Sequence, residues 1–174
     1  KKQLIQKNPN INSEFLFSNL GYNLRPTEIQ GGFGIHQLKK LERFLKIRKL
    51  NADIWRKNLE KFEEFIELTK TETGHTHANM LFPIRIKKNK YFTKNEFVDY
   101  LEKNSIDTRP VMAGNFVLQP VAKMMKYKSI GKLKNSTEIM KSSFLLGNHQ
   151  DIDHNAREYV LEIITKFIKS KISR

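Results

Sequence analysis

Apolar residues recur along this chain at two periods, and the switch between them outlines the fold. Ile29, Phe33, Leu38, Leu41 and Leu45 fall at helical spacing, and Pro26 and Glu28 suit a first helical turn. A break or bend is expected near Lys39–Arg43. A long helix then carries Leu50, Ile54, Leu59 and Phe62 as its buried stripe. Upstream, residues 1–20 read as an extended connector with a turn at Asn8-Pro9-Asn10.

Beyond Phe62 the period shortens. Phe65–Leu68 reads as a short strand. Met80, Phe82, Ile84 and Ile86 alternate with Leu81, Pro83 and Arg85 in a second, where Pro83 points to an edge or a bulge. Thr93-Lys94-Asn95-Glu96 is a capping box opening a helix through Phe97, Val98 and Leu101. Ile106–Val111 is a third strand, followed by a loop at Ala113-Gly114-Asn115 and a short helix near Pro120–Lys126. Asn135-Ser136-Thr137-Glu138 reads as another cap, and Phe144–Gly147 as a brief strand. Asp153 caps a last helix that buries Ala156, Val160, Ile163, Ile164 and Phe167. This order predicts a small α/β sandwich with a long helix leading into it. The implied division is a connector (1–25), linking helices (26–62) and a small α/β domain (63–174).

One feature of the leading helix resists its own propensity. Gly31, Gly32 and Gly34 lie within four residues, and each interior glycine costs about 1 kcal/mol against alanine.

The 174 residues suffice for one domain with a real core, and 39% are hydrophobic. No apolar run approaches a membrane span of roughly 18 residues, and the N-terminus has no signal-peptide pattern. The chain lacks a starting methionine, so it is expected to begin within a longer protein. It has no cysteine, which excludes disulfides and thiolate metal sites in this segment. The net charge of +14 admits a nucleic-acid partner, but it is spread evenly: residues 1–87 and 88–174 each hold 16 basic and 9 acidic residues. Aromatics are not interleaved with arginine as in an RNA reader. An anionic small substrate remains compatible, and neither nucleic acid nor membrane is expected as a partner.

Polar residues gather at three loops: Tyr22-Asn23-Leu24-Arg25, Arg109-Pro110 with Gly114-Asn115, and Gly147-Asn148-His149-Gln150. Gly-Asn pairs are also ordinary turn formers. His36, His75, His77 and His154 show no metal spacing with carboxylates. No Gly-Lys-Ser/Thr phosphate loop, Gly-x-Gly-x-x-Gly or Gly-x-Ser-x-Gly occurs. The residues offer binding groups and no complete catalytic set.

The run Gly21–Pro26 followed by Ile29-Gln30-Gly31-Gly32-Phe33-Gly34-Ile35-His36-Gln37-Leu38-Lys39-Lys40-Leu41 resembles the signature of the DegT/DnrJ/EryC1/StrS family. Arg109–Phe116 and Phe144–Gln150 are similar to its branch that removes a 3-hydroxyl from a 4-keto-6-deoxy sugar nucleotide. The resemblance runs from Phe17 onward and covers the C-terminal part of the family's length. It implies the small C-terminal domain of a fold-type I, aspartate-aminotransferase-like enzyme, with a short, mostly antiparallel sheet. It also implies a pyridoxal 5'-phosphate/pyridoxamine 5'-phosphate cofactor, glutamate as amino donor, a nucleotide-diphosphate sugar as substrate, a cytoplasmic homodimer and a role in deoxysugar and lipopolysaccharide synthesis. Asn23 would donate to the cofactor phosphate of the other subunit, with Arg25 adding charge. Arg109, Asn115, Asn148 and His149 would line the sugar-nucleotide side. The catalytic base, a histidine in this branch, is expected upstream of Lys1, so no catalytic residue falls in this segment and the chain alone is expected to be inactive. The glycines would let the helix approach the large domain and the dimer partner closely. A nucleotide-sugar aminotransferase of the same family and a non-catalytic basic binding module remain the alternatives.

Overall fold

A computed structural model describes residues 2–7, 22, 24–112 and 114–173. The chain divides into two compact units, Lys1–Lys40 and Leu41–Arg174. The turn expected at Asn8-Pro9-Asn10 lies outside the described residues.

In the first unit, Lys2–Lys7 is a helix (α1) rather than extended chain. The second helix, α2, spans Glu28–Leu59. Its start is a reciprocal cap: the Thr27 N–H donates to Gln30 Oε1 at 2.9 Å, and the Gln30 N–H to Thr27 Oγ1 at 3.4 Å. The break admitted near Lys39–Arg43 does not occur, because α2 is helical throughout that stretch. A Cβ placed on Gly31, Gly32 or Gly34 would meet nothing within 4 Å, so no described neighbour accounts for these glycines.

The second unit is built on a four-stranded sheet in the order β1-β2-β4-β3, every neighbouring pair antiparallel. The strands are β1 (Ile66–Leu68), β2 (Leu81–Ile86), β3 (Thr108–Pro110) and β4 (Ser143–Gly147). Alternation sorts the faces of the two central strands. Phe82, Ile84 and Ile86 of β2 and Phe144 and Leu146 of β4 are buried in the core. Pro83 lies on the other face of β2, which is central rather than at an edge. Pro83 stands opposite Leu145 of β4 in an unbroken register but lies one residue beyond the last β1 pair, Leu68 with Ile84, so β1 has no partner there for its missing N–H.

The core face is covered by the latter part of α2, by α3 (Lys94–Lys103) and by α5 (His154–Ile172). Phe97 of α3 stacks on Phe167 of α5 with centroids 4.6 Å apart, and Trp55 meets Phe82 edge-on at 5.2 Å. Of the stripe expected on this helix, Leu59 and Phe62 are buried and Ile54 packs against the core, but the buried face is wider than expected and leaves Leu50 out. Ala52, Trp55 and Leu59 are buried, as is polar Asn51, whereas Leu50 is half exposed. On α5, Ala156 is exposed, and Leu161 and Ile168 join Ile163, Ile164 and Phe167 in the core.

The capping box on α3 forms as read, with Thr93 and Glu96 bonding reciprocally. The cap expected at Asn135–Glu138 does not form. Helix α4 (Lys134–Ser142) begins one residue earlier, behind a left-handed Leu133. The Ser136 and Thr137 hydroxyls instead donate to the Leu133 carbonyl, at 2.9 and 3.0 Å. Asp153 caps α5 as expected, accepting from the Ala156 N–H at 2.8 Å.

Candidate functional site

The turn after β4 is held from inside. Asn148 is buried, and its amide donates to the carbonyls of Arg48 at 2.8 Å and Asn79 at 2.7 Å. Its Oδ1 accepts from Asn51 Nδ2 at 3.3 Å, and Asn51 Oδ1 accepts from Arg157 Nη1 at 2.9 Å. Asn79 adopts φ +47° and is braced by Arg56 Nη2 on its Oδ1 at 2.9 Å, while its N–H donates to His77 Nδ1 at 2.9 Å. This chain of partners satisfies polar groups that would otherwise be costly to bury. It ties α2, the approach to β2, the turn after β4 and the start of α5 into one unit.

Outside that anchor, half-buried Arg48 and Gln150 lead out to exposed His149. Arg48 Nη2 donates to Gln150 Oε1 at 2.9 Å, and Gln150 Nε2 stands 2.8 Å from His149 Nε2. The Asp151 carboxylate and backbone N–H each lie 3.3 Å from His149 Nδ1. His149 is exposed, its two ring nitrogens facing Gln150 and Asp151, whereas the hydrogen bonds of the Asn148 side chain are all internal.

Arg109 lies exposed on β3 opposite Leu145. Asn115 is buried and caps the 3-10 turn Phe116–Leu118: its Oδ1 accepts from the Val117 N–H at 3.1 Å and its Nδ2 donates to Thr137 Oγ1 at 3.0 Å. The preceding Gly114 has φ +50°, and a Cβ there would come within 2.3 Å of the Met140 side chain. The register keeps these loops apart along the sheet. Asn148 and His149 follow the C-terminal residue of β4, whereas the segment toward Asn115 leaves β3 at Pro110, opposite Phe144 near the start of β4. Arg25 is exposed and precedes α2, and Asn23 lies outside the described residues.

The sheet face opposite the core carries a groove of about 580 Å³, lined in part by Pro83, Arg85, Leu145, Glu138 and Ile139. Arg85 pairs with Glu67 and lies 3.7 Å from Glu138. None of the expected site residues lines it. The anchoring set Arg48, Asn51, Asn79 and Arg157 was missed as well. Its trace in the sequence is faint: Asn51 sits beside Ala52 and four residues before Trp55, where a helix stripe turns inward.

Among the described residues, no group of three or more His, Asp or Glu side chains could hold a metal ion, and no helix is long and apolar enough to cross a membrane.

A model of the DegT/DnrJ/EryC1/StrS aminotransferase family matches residues 3–165, and the chain belongs to that family. It is 31% identical over 154 residues to the lipopolysaccharide biosynthesis protein RfbH of Salmonella typhimurium, covering 88% of this chain and 35% of that protein. It is 32% identical to the GDP-4-keto-6-deoxy-D-mannose 3-dehydratase of Escherichia coli O55:H7, covering 92% of this chain and 41% of that enzyme. A solved GDP-4-keto-6-deoxymannose-3-dehydratase with a trapped PLP-glutamate geminal diamine superposes with a TM-score of 0.77 at 32% identity, over 87% of this chain and 39% of that one. The chain thus spans roughly two-fifths or less of the length of these relatives. The four-stranded antiparallel sheet with its helices is the mixed α/β arrangement expected for this fold.

Proposed function

We propose that this chain is the C-terminal part of a pyridoxal-phosphate-dependent nucleotide-sugar 3-dehydratase, which removes the C3 hydroxyl of a 4-keto-6-deoxy sugar nucleotide. The observation that carries the reading is the likeness, above 30% identity over most of the chain, to relatives named as 3-dehydratases of such sugars. A cytoplasmic homodimer using glutamate as amino donor accompanies the reading.

Arg25 is exposed just ahead of the α2 N-terminus, and its planar fork suits a phosphate. With the Asn23 amide two residues before it, the donor chemistry fits the phosphate end of the cofactor, contributed across a dimer. Bound there, the cofactor supplies an electron sink to the reaction. The glycines of α2 give this reading its second support, because a helix face with no described neighbour leaves room for another backbone to approach closely.

Arg109 is assigned to the substrate diphosphate and His149 to the sugar side of the site; Asn115, also expected there, has its side chain bonded within its own turn and to Thr137 and serves by shaping the loop after β3. Asn148, also expected there, serves by fixing the turn that presents His149. The nucleotide-sugar aminotransferase remains the second reading, favoured by transaminase relatives at 24% identity. The test is to incubate the intact protein with cofactor, glutamate and a 4-keto-6-deoxy sugar nucleotide. A 3-deoxy product supports the proposal, and a C4-amino sugar replaces it with the second reading.

A further inference from the structure

The contacts of the turn after β4 constrain more than its backbone. Arginine carries only donors, so the oxygen of the Gln150 amide must face Arg48 Nη2, 2.9 Å away. The other end of that amide is then its NH₂, and it lies 2.8 Å from His149 Nε2. Two donors cannot share that distance, so Nε2 must present its lone pair. A neutral imidazole with a bare Nε2 carries its proton on Nδ1. That proton has an acceptor in place, the Asp151 carboxylate 3.3 Å from Nδ1. The Asp151 N–H also points at Nδ1 from 3.3 Å and needs a lone pair there, so it opposes this tautomer, but the Gln150 contact at 2.8 Å is the shorter of the two competing ones. Free histidine in water prefers the opposite tautomer, with the proton on Nε2, so the arrangement imposes a choice the side chain would not make alone.

We propose that Arg48 is a positioning residue that acts through Gln150 to hold His149 as its Nδ1–H tautomer, with Nε2 as the acceptor. Arg48 suits the task because its own carbonyl is gripped by buried Asn148 at 2.8 Å, which fixes where its side chain starts. If His149 faces the sugar, as the proposed function has it, Nε2 accepts from a ligand hydroxyl that takes the place of the Gln150 NH₂. A ligand offering only an acceptor at that point is refused.

The tautomer is read directly from the ring-nitrogen shifts of ¹⁵N-labelled protein at alkaline pH, without any ligand, so the measurement stands apart from the proposed function. In the wild type, His149 Nε2 should appear as a pyridine-type nitrogen and Nδ1 as a pyrrole-type one. Arg48→Met, which keeps the stem and removes the donors, should move His149 to a majority Nε2–H form. Gln150→Leu should do the same without touching α2, which guards against a folding defect in the first variant. A wild-type His149 in the Nε2–H form, or two folded variants with the wild-type pattern, would overturn the proposal.

Discussion

Asn148 donates from its side-chain amide to the carbonyl oxygen of Arg48, 2.8 Å away and 100 positions earlier in the chain. This bond fastens the turn after β4 to the middle of α2. A second bond from the same amide reaches Asn79 O at 2.7 Å. Replacing Asn148 by alanine strands the Asn79 carbonyl and the Asn51 amide in a buried site, while the Arg48 carbonyl keeps its helical bond. At about 1–3 kcal/mol for each of these two groups, Asn148→Ala should cost on the order of 2–6 kcal/mol. Urea unfolding of the 174-residue chain measures it, and a midpoint equal to wild type would show that the network does not hold the turn.

Gly114→Ala meets two obstacles at once. The residue sits at φ +50°, and the new Cβ would overlap Met140 Cβ, Cγ and Sδ at 2.3–2.7 Å. The conformation alone costs about 1 kcal/mol. Combining it with Met140→Ala removes the overlap from Cγ and Sδ and leaves the backbone cost and the overlap with the Cβ of residue 140. The double variant should therefore lose less stability than the two single losses added together. Strict additivity would mean that the loop simply moves aside.

Glu96 binds Lys171 and caps α3 through Thr93, and these bonds hold its carboxyl down at about 2, against an ordinary value of 4.5. A lowered folded value means that its contribution is complete above 4.5 and is lost as the pH falls toward 2. Glu96→Gln should flatten the pH dependence of the unfolding midpoint across that window and leave its slope near neutrality unchanged. An unaltered acid limb would remove Glu96 from the account. The carboxylate is exposed, so added salt should shrink the effect.

Local chemistry was readable in the sequence wherever a short pattern decides the outcome. The Thr93–Glu96 box, the alternation of β2 and the Asp153 cap are such patterns, and each appears in the structure. The stripe of α2 was legible at Leu59 and Phe62 but not at Asn51, a polar residue that goes inside only because Asn148 and Arg157 meet it from about 100 residues away. The loops of Asn115 and His149 look alike in sequence. Only the register of β3 on β4 sends them to opposite ends of a strand, and register is a non-local property. Asn148 reads as a ligand donor in sequence, since nothing local reveals that its bonds are already made inside the protein.

The glycines of α2 give a prediction of opposite sign in two settings. No described atom lies within 4 Å of a Cβ at Gly31, Gly32 or Gly34. In the isolated chain, Gly32→Ala should raise helicity and stabilise by about 0.5–1 kcal/mol. In the proposed dimer it should weaken association, because the added methyl would meet a partner backbone packed closely on this face. Circular dichroism and sedimentation measure the two effects, and an unperturbed dimer would mean that nothing approaches this face closely.

The central claim is the reaction. The most direct measurement is proton NMR of the product formed by the intact protein from GDP-4-keto-6-deoxymannose, with pyridoxal phosphate and excess glutamate. The account predicts loss of the C3 hydroxyl, seen as a new methylene at C3, with the C4 keto group retained. Transfer of an amino group to C4 with the C3 hydroxyl intact, or no turnover of a cofactor-loaded dimer, would contradict it.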